Sequence, residues 1–160
     1  MERIYDRTSL YCEVQYIDEE LRVAITSHAQ DHQLGDVIGS TAYCCETVSI
    51  RRHRPGILGR LIGASYLNDT HFMFTLITSK YLIVATNGLK RGVRVRSARL
   101  ADISLSPLQL REGIDFGVSV TAMWLGTRKI SAFYLGVGDD PDGRRLIGEV
   151  RLAVAESKIA

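Results

Sequence analysis

Histidine and cysteine are the residue types in this 160-residue chain that most readily carry metal or nucleophilic chemistry. His28 and His32 are four positions apart, so on a helix they would share one face, as paired zinc ligands do. A zinc-protease helix has glutamate directly after its first histidine, whereas Ala29 stands there in this chain. No third ligand is evident in the sequence. We therefore predict neither a metal site nor a cofactor.

The three cysteines are an odd number, and two of them, Cys44 and Cys45, are neighbours that cannot easily bridge each other. This usage is typical of free thiols in a reducing cytosol. Cys44 and Cys45 stand in a strand-like context, where one side chain points inward and the other outward. We interpret them as apolar filler. No Ser/His/Asp order, phosphate-binding glycine loop or carboxylate pair stands out, so we predict that the chain is not an enzyme.

Charge is distributed unevenly along the chain, although the net charge is only +2. Residues 1–46 hold three Arg against nine Asp and Glu, whereas residues 47–111 hold eleven Lys and Arg against two Asp. An acidic leader thus precedes a basic middle, and polyanions or an acidic surface are the natural partners of the latter. One hypothesis is internal: the leader lies across the middle as a clasp or an autoinhibitor.

The first basic segment, 51–60, follows the first predicted long strand and continues into apolar residues within 57–62. Near an anionic membrane each cation contributes about 1 kcal/mol, so several together give salt-sensitive adhesion. The apolar residues either enter the membrane interface or pack into the core below a solvated cationic rim. The candidate binding residues of this segment are Arg51, Arg52, Arg54 and Arg60.

The second basic segment, 90–99, contains Arg94 and Arg96, which share one face of a predicted strand so that their charges add locally. We include both as candidate binding residues. Nucleic acid is a poor candidate partner, because no exposed aromatic residues that would stack on bases are interleaved with the cations.

The element pattern begins as helix and changes to strand. Asp18 is a predicted N-cap, followed by Glu19 and Glu20 in a first turn where carboxylates favour the helix dipole, and Gly35 ends this helix. A shorter helix or turn is predicted over 9–16. Strands rich in β-branched and aromatic residues are then predicted. They cover 37–50, 71–78, 80–86, 91–99, 100–105, 116–125 and 128–135.

Turn and cap residues divide these strands. Asn87-Gly88 is a strong turn signal, and Gly126-Thr127 predicts a hairpin. Asp140 followed by Pro141 predicts a helix start. The apolar stripe of this last helix needs a sheet to bury against. Its members are Leu146, Ile147, Val150, Ala153 and Val154. Trp124, Phe133 and Tyr134 are expected to anchor the core.

Over 37–157 the chain resembles the bacterial PH-like domains, relatives of the pleckstrin homology superfold. The resemblance lies in the order of three passages, Phe74–Ala85, the basic strand leading to Arg99-Leu-Ala-Asp-Ile103, and Phe133–Gly136 followed by Asp140-Pro-Asp and the helix. It implies a mainly β (α+β) fold, an antiparallel barrel or sandwich of six to seven strands capped by the C-terminal helix. Residues 1–35 would form an acidic helical extension and 36–160 the PH-like domain.

The predicted function is a non-enzymatic interaction module that binds a protein partner or self-associates, since the sheet edges of such domains accept a partner strand. The alternative is a peripheral binder of anionic lipid or another polyanion through the segments 51–60 and 90–99. The chain contains no apolar run of the ~20 residues that a membrane helix requires, and residues 1–7 do not resemble a secretory signal. We expect a cytoplasmic protein, with peripheral membrane association under the alternative.

Overall fold

The computed structural model describes residues 5–51, 70–88, 92–107 and 116–159. Arg52, Arg54, Arg60 and the apolar residues at 57–62 lie outside these ranges. The described chain forms eight strands and two long helices. The strands are β1 (Tyr5–Tyr11), β2 (Tyr43–Arg51), β3 (Thr70–Ile77), β4 (Tyr81–Gly88), β5 (Gly92–Arg99), β6 (Ser104–Pro107), β7 (Gly117–Met123) and β8 (Ile130–Gly136). The helices are α1 (Glu19–Asp31) and α2 (Pro141–Ile159), with 3-10 turns over Val14–Tyr16 and Leu100–Asp102.

The strands pair in chain order into two antiparallel sheets. Sheet A has the order β1-β2-β3-β4-β5, and sheet B the order β6-β7-β8. Among the described residues the sheets do not join into a closed barrel, so the sandwich form of the predicted mainly β fold is the one observed.

Sheet A is covered on both faces, because successive side chains of a strand point to opposite sides. Leu82 and Val84 of β4 join the core shared with sheet B and α2, while Ile83 and Ala85 join a second core beneath α1. All four are at most 1% exposed. A continuous apolar run such as that of β4 is typical of a strand buried on both faces.

Helix α2 fills the sandwich as the apolar stripe predicts. Leu146 and Val150 are fully buried, and Ile147 and Val154 nearly so, against residues of both sheets. Asp140 caps the helix, since its Oδ1 accepts the amide hydrogen of Gly143 at 2.8 Å. The predicted helix start at Asp140-Pro141 is confirmed.

The outer edge of β1 is held by the first residues of this helix. Asp140 Oδ2 accepts the Ser9 amide hydrogen at 2.9 Å, and Asp142 Oδ2 accepts that of Tyr11 at the same distance. The Ser9 hydroxyl in turn contacts Thr47 Oγ1 at 2.8 Å and accepts the Gly138 amide hydrogen at 2.9 Å. Strand β1 is therefore fixed on one side by β2 and on the other by α2.

Several predicted bounds differ from those observed. A helix or turn is predicted over 9–16. Residues 9–11 instead belong to strand β1, and only Val14–Tyr16 form a turn, of the 3-10 type. The strand predicted from residue 37 begins at Tyr43, because Asp36 Oδ1 accepts the Gly39 amide hydrogen in a turn that precedes it. The predicted strand over 100–105 starts with a 3-10 turn.

The turn predicted at Asn87-Gly88 is wrong, since both residues are the last of β4 and pair with Val93 and Gly92. The hairpin predicted at Gly126-Thr127 is confirmed: it joins β7 and β8, and Gly126 has φ +87°. The helix predicted after Asp18 is also confirmed, although the Asp18 side chain makes no capping hydrogen bond.

Candidate functional site

Three of the six candidate arginines lie in the described chain, and they do not form one cluster. Arg51 is exposed at the end of β2, and Arg94 is exposed on β5. Two strands separate β2 from β5, which corresponds to about 14 Å across the sheet. The described residues therefore bring Arg94 and Arg96 together but leave Arg51 apart. Arg52, Arg54 and Arg60 lie outside the described residues.

Arg96 is held against aromatic rings. Its guanidinium carbon lies 4.2 Å from the ring centroid of Phe133 and 5.7 Å from that of Trp124, and those two rings meet edge to face. Burial, and secondarily the nearby Arg94, lowers the pKa of Arg96. Arg96 is therefore only partly exposed, because Phe133 and Trp124 pack against it. Trp124 is buried, as predicted.

A cleft that the sequence pattern does not predict lies beside α1 on sheet A. It encloses about 420 Å³. Helix α1 covers the part of this face near Cys44, Leu76 and Ile83, and the cleft opens where that cover ends. Its lining comes from the residues before and within the first turn of α1 and from β2, β3 and β4. These residues are Tyr16, Asp18, Leu21, Glu46, Phe72, Phe74 and Asn87.

The lining combines aromatic rings with carboxylates. Tyr16 is 79% exposed and Phe72 36% exposed, so both rings are available to a ligand. Glu46 and Phe74 are directly paired neighbours on β2 and β3. Aromatic faces attract cations, and carboxylates accept charge-assisted hydrogen bonds from ammonium and guanidinium groups. The cleft is thus suited to a cationic side chain with an apolar stem.

At the other end of α1, the rings of His28 and His32 are in tilted contact, with centroids 4.5 Å apart and planes inclined by 51°. His28 Nε2 lies 2.6 Å from the hydroxyl oxygen of Ser97 on β5, and that serine is fully buried. His32 lies against Gly126 in the β7–β8 turn, where an added Cβ would come within 2.8 Å of its Cε1. The two histidines therefore join α1 to both sheets. Burial, and then the neighbouring His32, lowers the pKa of His28.

The lowered pKa of His28 predicts acid sensitivity. The unfolded chain, with an ordinary histidine pKa of 6.5, binds the proton more readily than the folded chain, so this contribution to stability is complete above pH 6.5 and is lost as the pH falls below it. In urea unfolding followed from pH 7.5 to pH 5.5, His28→Gln should reduce the decline in the free energy of unfolding. His71→Gln, at an exposed site on β3, is the control and should leave the decline unchanged. Equal declines in wild type and His28→Gln would contradict the assignment.

Cys44 and Cys45 point to opposite faces of β2, as predicted, yet both are buried. One of the two is expected to point outward, but Cys44 is buried as well because α1 covers the second face of the sheet. Burial raises the pKa of Cys45 to about 12, which removes thiolate character at neutral pH.

Within the described residues, no group of three or more His, Cys, Asp or Glu side chains is arranged to hold a metal ion. None of the helices in those ranges has the length and apolar character needed to cross a bilayer. Comparisons of the chain with protein-family models, with curated proteins and with solved structures find no match.

Proposed function

We propose that this protein is a non-enzymatic interaction module of PH-like build that binds a basic segment of a protein partner in the cleft beside α1. The PH-like part of the proposal is supported by topology. Strands β2 to β5 pair in chain order, β6 to β8 do the same, and α2 packs into the core that the two sheets share. Strand β1 and helix α1 are additions to that plan.

The cleft carries the functional part of the proposal. Asp18 and Glu46 supply negative charge beside the exposed rings of Tyr16 and Phe72. A lysine or arginine side chain would place its methylene stem on the rings and its charged head at the carboxylates. The proposed partner is therefore a protein with a basic segment, and a second copy of this chain, which carries its own basic middle, meets the same description.

The test is a titration of isotope-labelled protein with a short peptide of alternating glycine and arginine, followed by backbone amide NMR. The matching glycine–glutamate peptide is the ligand control. We expect the shifts to concentrate around Glu46, Phe72 and Asn87. The double variant Asp18→Asn, Glu46→Gln should weaken binding about tenfold, because two solvent-accessible charge contacts together contribute about 1.4 kcal/mol.

Asp102→Asn is the matched control, since Asp102 is an exposed carboxylate on the 3-10 turn before β6, away from the cleft lining. It should leave the affinity unchanged. Equal binding of the acidic peptide, or an affinity unaffected by the double variant, would exclude the cleft as the site. Sedimentation of the free protein tests the second-copy partner, because self-association through the cleft should decrease in the double variant.

The alternative function, adhesion to anionic lipid through the basic segments 51–60 and 90–99, is supported by the exposure of Arg51 and Arg94. It is less favoured because Arg96 is engaged with Phe133. Co-sedimentation with phosphatidylserine vesicles that Arg51→Ala and Arg94→Ala abolish, together with no peptide binding, would replace the first proposal with this one.

A further inference from the structure

Two of the three cysteines meet on the α1 face of sheet A. Cys12 Sγ and Cys44 Sγ are 2.7 Å apart, and the Cys12 amide hydrogen is donated to the Cys44 carbonyl oxygen with an N–O distance of 3.1 Å. This hydrogen bond extends the β1–β2 ladder by one residue beyond the Tyr11–Cys45 pair. Cys12 and Cys44 are thus cross-strand neighbours.

The backbone arrangement is compatible with a covalent bridge. Directly opposed residues of a hydrogen-bonded antiparallel pair have Cα atoms about 5.5 Å apart, which lies within the range found for disulfides. A bridge between Cys12 and Cys44 would require only a sub-ångström approach of two sulfur atoms, since an S–S bond is about 2.05 Å long. Cys45, on the opposite face of β2, has no such neighbour among the described cysteines.

The two thiols differ in access. Cys12 is partly exposed, whereas Cys44 is 2% exposed under α1. The contact with Cys12, followed by burial, raises the pKa of Cys44, so the Cys44 thiol stays protonated at neutral pH. An external oxidant therefore meets Cys12 first, and Cys44 is placed to complete the reaction from within the protein.

We infer that Cys12 and Cys44 form a redox-active dithiol that a low-molecular-weight disulfide converts to an intramolecular disulfide. The Cys12 thiolate attacks one sulfur of the oxidant, which breaks the oxidant's S–S bond and releases one thiolate. Cys44 then gives up its proton and attacks the Cys12 sulfur of the mixed disulfide, releasing the second thiolate. The oxidant is reduced to two thiols, and the protein loses two hydrogen atoms.

The bridge would close a loop that contains the 3-10 turn over Val14–Tyr16 and helix α1. Because a cross-link across a loop of roughly thirty residues restricts the unfolded chain, the oxidised protein should melt about 10 °C above the reduced protein. The inference does not depend on a ligand in the cleft, since it rests only on the two thiols and their strands.

The experiment uses the full chain, equilibrated in glutathione buffers of increasing oxidised fraction and then quenched in acid. We expect free thiols to fall from three to one, with a mass loss of two hydrogens and a peptide map that links Cys12 to Cys44. Cys45→Ser is the matched control and should oxidise as wild type does. Cys12→Ser should keep its two remaining thiols, and its reduced form should melt close to reduced wild type.

Glutathione adducts on Cys12 without the intramolecular bond, or dimers joined through Cys12, would overturn the inference. A bridge that formed only in urea-unfolded chain would overturn it too, because the folded geometry would then play no part. An oxidised protein that melts no higher than the reduced one would refute the stabilising role of the loop.

Discussion

Leu146→Ala should lower the free energy of unfolding by about 3 kcal/mol, within the range measured for fully buried leucines. Leu146 is 0% exposed and lies in the core that α2 shares with both sheets. The substitution removes three side-chain carbons and leaves a cavity between layers that strand pairing holds apart, so little relaxation is available. Urea unfolding, monitored by far-UV circular dichroism, measures the loss.

The control for Leu146→Ala comes from the same helix. Leu152 is 53% exposed, so Leu152→Ala alters helix composition without emptying the core and should change stability by less than about 0.5 kcal/mol. Similar effects of the two variants would mean that α2 does not bury its apolar side in the core shared by the sheets. That result would contradict the presence of a common core between α2 and the two sheets.

Gly143→Ala should lower the free energy of unfolding by about 2 to 3 kcal/mol, although replacing a glycine within a helix by alanine usually raises it. Alanine normally stabilises a helix interior by about 1 kcal/mol relative to glycine. At Gly143 the added Cβ would collide with the backbone carbonyl oxygen of Gly138, which cannot rotate away as a side chain would. Overpacking of this kind typically costs about 1 to 3 kcal/mol and here displaces the turn that leads into α2.

Gly148 in the same helix is the matched control, because a Cβ added there meets no atom within 4 Å. Gly148→Ala should therefore stabilise the protein by about 0.5 to 1 kcal/mol. Opposite signs for the two substitutions in thermal and urea unfolding would support the close approach of Gly138 to the helix. A gain in stability for Gly143→Ala would contradict it.

The interior of the fold was predictable because its signals are local. The apolar run of β4, the turn glycine Gly126 and the Asp140-Pro141 helix start each act within a few residues, and all three lie where the sequence places them. Strand β1 gives no comparable signal. Its inward positions include Arg7 and Ser9, which are satisfied by Ser49, Thr47 and residues far along the chain.

The candidate site was less predictable, for a related reason. The cleft takes its lining from four separate segments, and no spacing in the sequence joins Tyr16 to Glu46 or Phe72. Likewise, the contact between Cys12 and Cys44 depends on a strand that the pattern of residue types does not reveal. The basic residues are conspicuous in the sequence, yet strand order, which is a property of the whole sheet, separates Arg51 from Arg94.

The hydrogen bonds from the amides of Ser9 and Tyr11 to Asp140 and Asp142 block the addition of a further strand to the β1 edge of sheet A. A strand edge with free amides is a template for other chains, and carboxylates seated on it obstruct fibre formation from that side. An incoming strand would have to displace both anions from hydrogen bonds before it could add to β1. Assembly by strand addition at β1, with a partner or with another copy, is thereby disfavoured.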